Sequence, residues 1–227
     1  MLRVPSFSPA ARGLLAALAL AVLTACSPQK PAPPVASVPV APQAVVATGP
    51  TAKAVFAGGC FWCVESDFDK VPGVLSTTSG YTGGKTENPT YQEVSSHTTG
   101  HAEAVEIVFD TNRVSYETLV EHFWRTIDPT TKDRQFCDVG SPYRTAIFAQ
   151  DDAQMQIAQA SRAALEKSKP FDAPIVTEVV KADTFYPAEE YHQDYYIKNP
   201  VRYSYYRNGC GRDARLRQLW GDAAATH

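Results

Sequence analysis

Residues 58–65 read GGCFWCVE, with Cys60 and Cys63 separated by Phe61 and Trp62, and the rest of the chain is best read outward from this stretch. The apolar run KAVFAGG ends in the two glycines, and CFWCVESDFDKV then carries helical spacing with acids spread along it. A strand, a glycine turn and a helix are expected in that order, with Cys60 at the turn. A cysteine at a helix start meets unpaired backbone N–H groups and the positive end of the helix dipole. Both favour thiolate, so Cys60 is expected below the free value of about 8.5 and is the expected nucleophile. Cys63, one turn further in, gains less.

Upstream, Arg3 and Arg12 precede GLLAALALAVLTAC, an apolar run too short and too rich in small residues to span a bilayer. Residues 1–25 are expected to be a signal peptide with a lipobox, cut before Cys26, which then carries lipid. Each buried methylene of that anchor adds roughly 0.8 kcal/mol of membrane affinity. An ordinary secreted protein cut nearby is the alternative. Residues 26–52 are rich in Pro and Ala, cannot build a core and are expected to be a stalk. Residues 53–227 have the length of one domain. Ser27 after the lipid cysteine points to a periplasm-facing lipoprotein of the outer membrane, touching the membrane only through its anchor. With a net charge of −3 and no basic block, neither nucleic acid nor an anionic membrane surface is an expected partner. The domain is expected to be a monomer.

Downstream, VLSTTSGYTGG and HAEAVEIVFD alternate like strands with turn-rich sequence between them. SYETLVEHFWRTID is an amphipathic helix with Ser115 as N-cap, and Pro129 follows its end. YRTAIFAQ is a strand, DDAQMQIAQASRAALEKSK a long helix and PIVTEVVKAD a further strand. PAEEYHQDYYIKNP reads as a short helix stopped by Pro200, followed by a polar, aromatic tail. This order implies an α+β two-layer sandwich with a ferredoxin-like core, a mainly antiparallel sheet and a long C-terminal coil. All 11 tyrosines lie in the domain, concentrated toward its end, as suits a peptide-binding surface or a wet active site.

Without Cys26, four cysteines remain: Cys60, Cys63, Cys137 and Cys210. Outside the cytoplasm they can form two structural bridges, and a disulfide-stapled protein that only binds peptides is the non-enzymatic alternative. A thioredoxin-like dithiol site is a second reading, although such sites place small or turn-forming residues between the cysteines. A zinc site with His97 and His101 is disfavoured by the long separation from Cys63, and no metal or other cofactor is expected. A third reading asks what a thiolate beside aromatic faces would bind. Phe61 and Trp62 form an apolar wall suited to a methyl on sulfur, and a methionine sulfoxide has that shape.

GGCFWCVE resembles the signature of the A-type peptide methionine sulfoxide reductases. GYTGG, NPTYQEVSSHTTGHAEAVEIVFD, DRQFCDVGSPYRTAIF and AEEYHQDYYIKNP are similar to that family in order, across residues 53–212. The resemblance implies attack on the sulfoxide sulfur by Cys60 and protonation of its oxygen by Glu103. The period of two in HAEAVEIVFD sets Glu103 on the face of Val105, Ile107 and Phe109, where a carboxyl favours its neutral form. The resemblance also implies that Tyr91 and Tyr143 hold the oxygen and that Asp138 orders the site. His192 stands behind it, while His97, His101 and His122 receive no role. Cys60 then forms a sulfenic acid and a disulfide, reset by a thioredoxin-like reductant. The expected substrates are oxidised proteins or peptides and free methionine sulfoxide, as the S epimer by resemblance. Cys210, flanked by glycines in a mobile tail, is the expected resolving thiol, with Cys63 as competitor. Three positions depart from the family: Cys63 stands where many members have glycine, Cys137 where many have asparagine, and Pro142 where a polar residue is expected. Cys137 is expected to be either a buried thiol, the preferred reading, or an extra redox partner. A thiol-disulfide oxidoreductase of the cell envelope is the alternative function.

Overall fold

A computed structural model describes Ala47 and residues 49–225. The signal peptide, Cys26 and most of the stalk lie outside the described residues. The chain forms β1 (Thr51–Gly58), α1 (Phe61–Phe68), β2 (Val74–Thr82), the short α2 (Tyr91–Ser95), β3 (Ala102–Asp110) and α3 (Tyr116–Thr126). A ribbon of β4 (Arg134–Gln135) and β5 (Asp138–Val139) follows, then β6 (Thr145–Ala149), α4 (Asp152–Ser168), β7 (Glu178–Lys181) and β8 (Tyr186–Pro187). Helices α5 (Tyr195–Lys198), α6 (Pro200–Gly209) and α7 (Arg212–Trp220) complete the fold. β1 begins two residues inside the expected stalk, with Thr51 opposite Asp110.

Six strands form one sheet in the order β7-β6-β1-β3-β2-β8. Every neighbouring pair is antiparallel except β6 with β7. The period of two divides the side chains as expected. Ala54, Phe56, Val105, Ile107 and Phe109 meet α1, α3, α4 and α7 in the main core. Phe56 stacks on Phe68 at 5.2 Å and on Phe123 at 4.9 Å between ring centres. The opposite face is thinner. Val55, Ala57, Ala102, Ala104, Ala146 and Phe148 are covered there by Val180, Ala182 and Phe185. The close approach leaves no room at Gly80, where a Cβ would sit 2.4 Å from the Phe185 ring.

Ser115 caps α3 as expected, accepting from the Thr118 N–H. α2, absent from the sequence reading, starts at a capping box in which Thr90 and Glu93 satisfy each other's backbone. The expected C-terminal coil is confined to the segment around β8, and α5, α6 and α7 follow it. Pro200 opens α6 at its first helical turn, where a missing N–H costs nothing. Among the described residues, no helix is long and apolar enough to cross a membrane.

Candidate active site

The turn between β1 and α1 is tight for a steric reason. Gly59 has φ +85°, and a Cβ on it would lie 2.5 Å from the Gln135 Cβ. Arg212 braces the turn, donating to the carbonyls of Gly58 at 3.1 Å and Thr126 at 3.0 Å. Cys60 is the N-cap of α1, and its carbonyl accepts from the N–H groups of Cys63 and Val64 at 3.1 and 3.4 Å. The position is the expected one, but the protonation is not. Burial above all, then the hydrogen bond to Cys63 and the charges of Cys63, Glu103 and Asp138, push the Cys60 thiol well above the ordinary cysteine range. Cys63 is lowered, chiefly by accepting the Cys60 hydrogen bond, with Arg212 and Arg207 adding to the effect against burial. The sequence shows that Cys60 starts a helix and does not show that the helix start is sealed from water.

Glu103 on β3 is 3% exposed, and its Oε2 accepts the Phe61 N–H at 3.0 Å. Burial pushes its carboxyl up to about 8 against that hydrogen bond, with the charges of Asp138 and Cys63 adding to the rise. It is a neutral acid at pH 7, as the face it occupies implied. Tyr91 begins α2 and Tyr143 ends a single 3₁₀ turn, Ser141–Tyr143. Burial holds both phenols above the ordinary tyrosine value, Tyr91 at about 12. Both are therefore hydroxyl donors. Asp138 on β5 accepts a short hydrogen bond from the Tyr206 hydroxyl, and burial raises its carboxyl.

Trp62 is clamped on three sides. It stacks on Tyr195 at 3.7 Å, meets the edge of Tyr206 at 5.7 Å and donates its Nε1–H to His192 Nδ1 at 3.0 Å. Burial lowers His192, keeping it neutral and able to accept. The Tyr91 ring lies 4.4 Å from His192. The histidine thus stands behind the site and holds two of its walls.

A cavity of about 280 Å³ gathers Cys60, Phe61, Trp62, Tyr91, Glu103, Asp138 and Tyr143, all anticipated, together with Arg202 and Tyr206 of α6, which were not. Larger clefts of about 490 and 630 Å³ lie along α3 and α4, and no cysteine lines them. Glu189 was also missed. It accepts the Tyr91 N–H and the Tyr81 hydroxyl, both at 2.9 Å, and so fixes the start of α2. His101 is committed to the backbone, its ring bonded to Gly84 N–H and Thr86 O, and does not join the cysteines. His122 contacts the Asp67 carbonyl.

Cys137 and Cys210 form a disulfide with a Cα–Cα distance of 4.9 Å, while Cys60 and Cys63 are free thiols. Three expectations change. Cys137 is exposed and bonded instead of a buried thiol. Cys210 caps α6 instead of riding a mobile tail, because α6 is pinned through Arg207 to Asp67 of α1 and to Asp213, both at 2.8 Å. A framework of two staples is not built. Asp138 links the two sulfur pairs: it lines the cavity with Cys60, and its Oδ1 lies 3.7 Å from Cys137 Sγ.

A family model described as peptide methionine sulfoxide reductase matches residues 52–224. The peptide methionine sulfoxide reductase MsrA of Bacillus licheniformis is 55% identical over 168 residues, covering 74% of this chain and 93% of that protein. MsrA 2 of Rhizobium meliloti is 55% identical over 171 residues, with 75% and 84% covered. Among solved structures, Mxr1 from Saccharomyces cerevisiae in reduced form is similar at a TM-score of 0.63 and 30% identity, covering 66% of this chain and 87% of that one. Methionine sulfoxide reductase A of Corynebacterium diphtheriae is similar at 0.60 and 35%, covering 66% and 76%.

Proposed function

The chain belongs to the peptide methionine sulfoxide reductase family, and from that premise we propose how its cavity does the chemistry of an oxidoreductase acting on methionine sulfoxide. The single observation that carries the mechanism is the neutral Glu103 carboxyl, held by the N–H of Phe61, on the cavity wall it shares with the Cys60 sulfur. The substrate methyl lies against Phe61 and Trp62, and the oxygen takes hydrogen bonds from Glu103, Tyr91 and Tyr143. Cys60 attacks sulfur while its proton passes to Cys63, its hydrogen-bond partner. Glu103 protonates the oxygen. The attack joins the Cys60 sulfur to the substrate sulfur; the protonated oxygen then moves from the substrate sulfur to Cys60 as that S–S bond breaks, leaving Cys60 as sulfenic acid and releasing methionine. Asp138, tied to Tyr206, orders the same wall.

Cys63 then attacks the Cys60 sulfur, expelling water and closing a Cys60–Cys63 disulfide. The hydrogen bond between the two thiols supports this order over direct resolution by Cys210, which lies in another bridge. When Cys137 and Cys210 are thiols they give two electrons to the buried disulfide and become bridged themselves, leaving Cys60 and Cys63 reduced. A thioredoxin-like dithiol then reduces Cys137–Cys210 at the surface. The S epimer is the expected substrate. The central strand order β6-β1-β3-β2 supports a ferredoxin-like core, and the lipobox supports an outer-membrane lipoprotein facing the periplasm.

Separated epimers of a methyl sulfoxide, assayed with dithiothreitol, test the core of this reading. Wild type consumes the S epimer and Cys60→Ser consumes neither. Turnover by Cys60→Ser would overturn it.

A further inference from the structure

The Cys137–Cys210 bridge does not present its two sulfurs alike. Cys137 is exposed on the open surface, while Cys210 is half-buried and forms part of the wall of a cleft of about 360 Å³. Asp128, Thr131, Arg134, Phe136 and Arg215 make the rest of that cleft, and it shares no lining residue with the cavity of Cys60. Its charge is unbalanced, with two guanidinium groups against one carboxylate. The Asp128 carboxylate is committed to Arg215, whose Nε donates to Oδ2 at 2.7 Å, while Arg215 Nη1 donates to Gln218 Oε1 at 2.7 Å. Arg134 donates from Nη2 to the Phe136 carbonyl at 2.8 Å and makes no ion pair among the described residues. A positive charge without a partner therefore stands in the same cleft as one sulfur of the bridge.

Resting on the proposed relay through Cys137 and Cys210, we infer that this cleft binds a small anionic thiol, of tripeptide size and bearing carboxylates, which opens the bridge by attacking the Cys210 sulfur. The cleft has the volume of a small-molecule site and suits such a thiol better than the broad surface of a protein. Which sulfur of a disulfide is attacked depends on access as well as on the leaving thiol. From within the cleft the accessible sulfur is Cys210, since Cys137 does not line it. The planar fork of Arg134 takes a carboxylate of the thiol in paired hydrogen bonds. The thiolate forms a bond to Cys210 Sγ, the Cys137–Cys210 bond breaks, and Cys137 leaves as a thiolate that gains a proton from water at the exposed surface. A second molecule of the thiol attacks the sulfur of the first, releasing Cys210 as a thiol and carrying off the two electron-donor sulfurs as a small disulfide. Two small thiols are oxidised and one bridge is reduced. The enzyme thus has a port for a small reductant at Cys210, and a dithiol protein has the exposed Cys137 side.

The test uses the full chain with its bridge intact and no sulfoxide present. It is mixed with glutathione or with glutathione diethyl ester, which keeps the thiol and masks both carboxylates. Acid quenching, alkylation of free thiols and peptide mapping read the products. The first product is expected to carry glutathione on Cys210 and the alkylating group on Cys137. Glutathione is expected to open the bridge about fivefold faster than the diester does, a ratio that shrinks as ionic strength rises. Arg134→Gln is expected to bring that ratio close to one, and Arg134→Lys to restore part of it. The ratio compares two reductants on one protein, so a general loss of stability does not move it. Glutathione found chiefly on Cys137, a ratio near one in wild type, or an unchanged ratio in Arg134→Gln overturns the inference, as does a bridge that glutathione fails to open. These outcomes leave the proposed sulfoxide reduction standing. A bridge opened at Cys210 whose two thiols then fail to reduce a Cys60–Cys63 disulfide would instead strike the proposed relay and leave the thiol site standing.

Discussion

The Glu103 carboxyl accepts a 3.0 Å hydrogen bond from the backbone N–H of Phe61, the residue immediately after Cys60. One bond thus ties the proton donor on β3 to the helix that carries the nucleophile, so acid and sulfur keep their separation whatever the outer loops do. The bond also opposes the rise caused by burial, leaving the carboxyl at about 8, where it is protonated at neutral pH and still acidic enough to give the proton up.

Glu103→Gln keeps the shape and removes the proton. Its kcat/KM is expected to fall by about 10²–10³-fold. In wild type, activity should decline as pH rises through about 8, because the donor ionises there. The variant's residual activity should lack that limb. A pH–rate profile of both proteins checks this.

Cys63→Ser, which lacks the acceptor of the Cys60 proton, should release about one equivalent of methionine more slowly than wild type and then stall with a sulfenic acid on Cys60, trappable by a sulfenic-acid reagent. A protein with Cys137→Ser and Cys210→Ser should still close Cys60–Cys63 and turn over with dithiothreitol, but slow markedly with a thioredoxin-like reductant. Mass mapping after one equivalent of substrate reads the bridges. A dominant Cys60–Cys210 bridge would reverse the proposed order of resolution.

Glu65, on α1, is 1% exposed, and burial pushes it up to about 8. A carboxyl raised on folding favours the native state while both forms are protonated. That contribution is lost as pH climbs from the ordinary carboxyl value to about 8. Tm should therefore fall between pH 6 and pH 9, with Glu103 contributing in the same direction. Glu65→Gln should flatten part of the fall in a calorimetric pH series.

Arg207→Met should cost roughly 3–5 kcal/mol, because it leaves the Asp67 charge buried beneath α6 without its main ion pair. Denaturant unfolding measures the loss. Cavity function should suffer as well, since Tyr206 precedes Arg207 and reaches Asp138.

Much of this architecture was readable because it follows simple periods. Glu103 shares a face with Val105, Ile107 and Phe109 for the reason its strand alternates. The glycine turn before Cys60 and the Ser115 cap were equally local signals. What failed was not local. α6 buries only Arg207, so it carries no apolar stripe, and Arg202 and Tyr206 went unseen with it. α7 does show a stripe, Leu216, Leu219 and Trp220, within a run whose charges obscured it. The protonation of Cys60 depends on depth of burial. The Cys137–Cys210 bridge joins positions 73 residues apart, and no spacing rule reaches that far.

Arg212 grips the Gly58 carbonyl across 154 residues of chain, and Arg207 grips Asp67 across 140. During synthesis on a ribosome, the cysteine pair emerges early while its roof is still unmade. Nascent or truncated chains would carry bare sulfurs without the acid-and-hydroxyl setting that makes them useful, and such distant closures are slow to form. Competence arrives with the final few dozen residues, so a prematurely ended chain is a source of stray thiols and not a weaker enzyme.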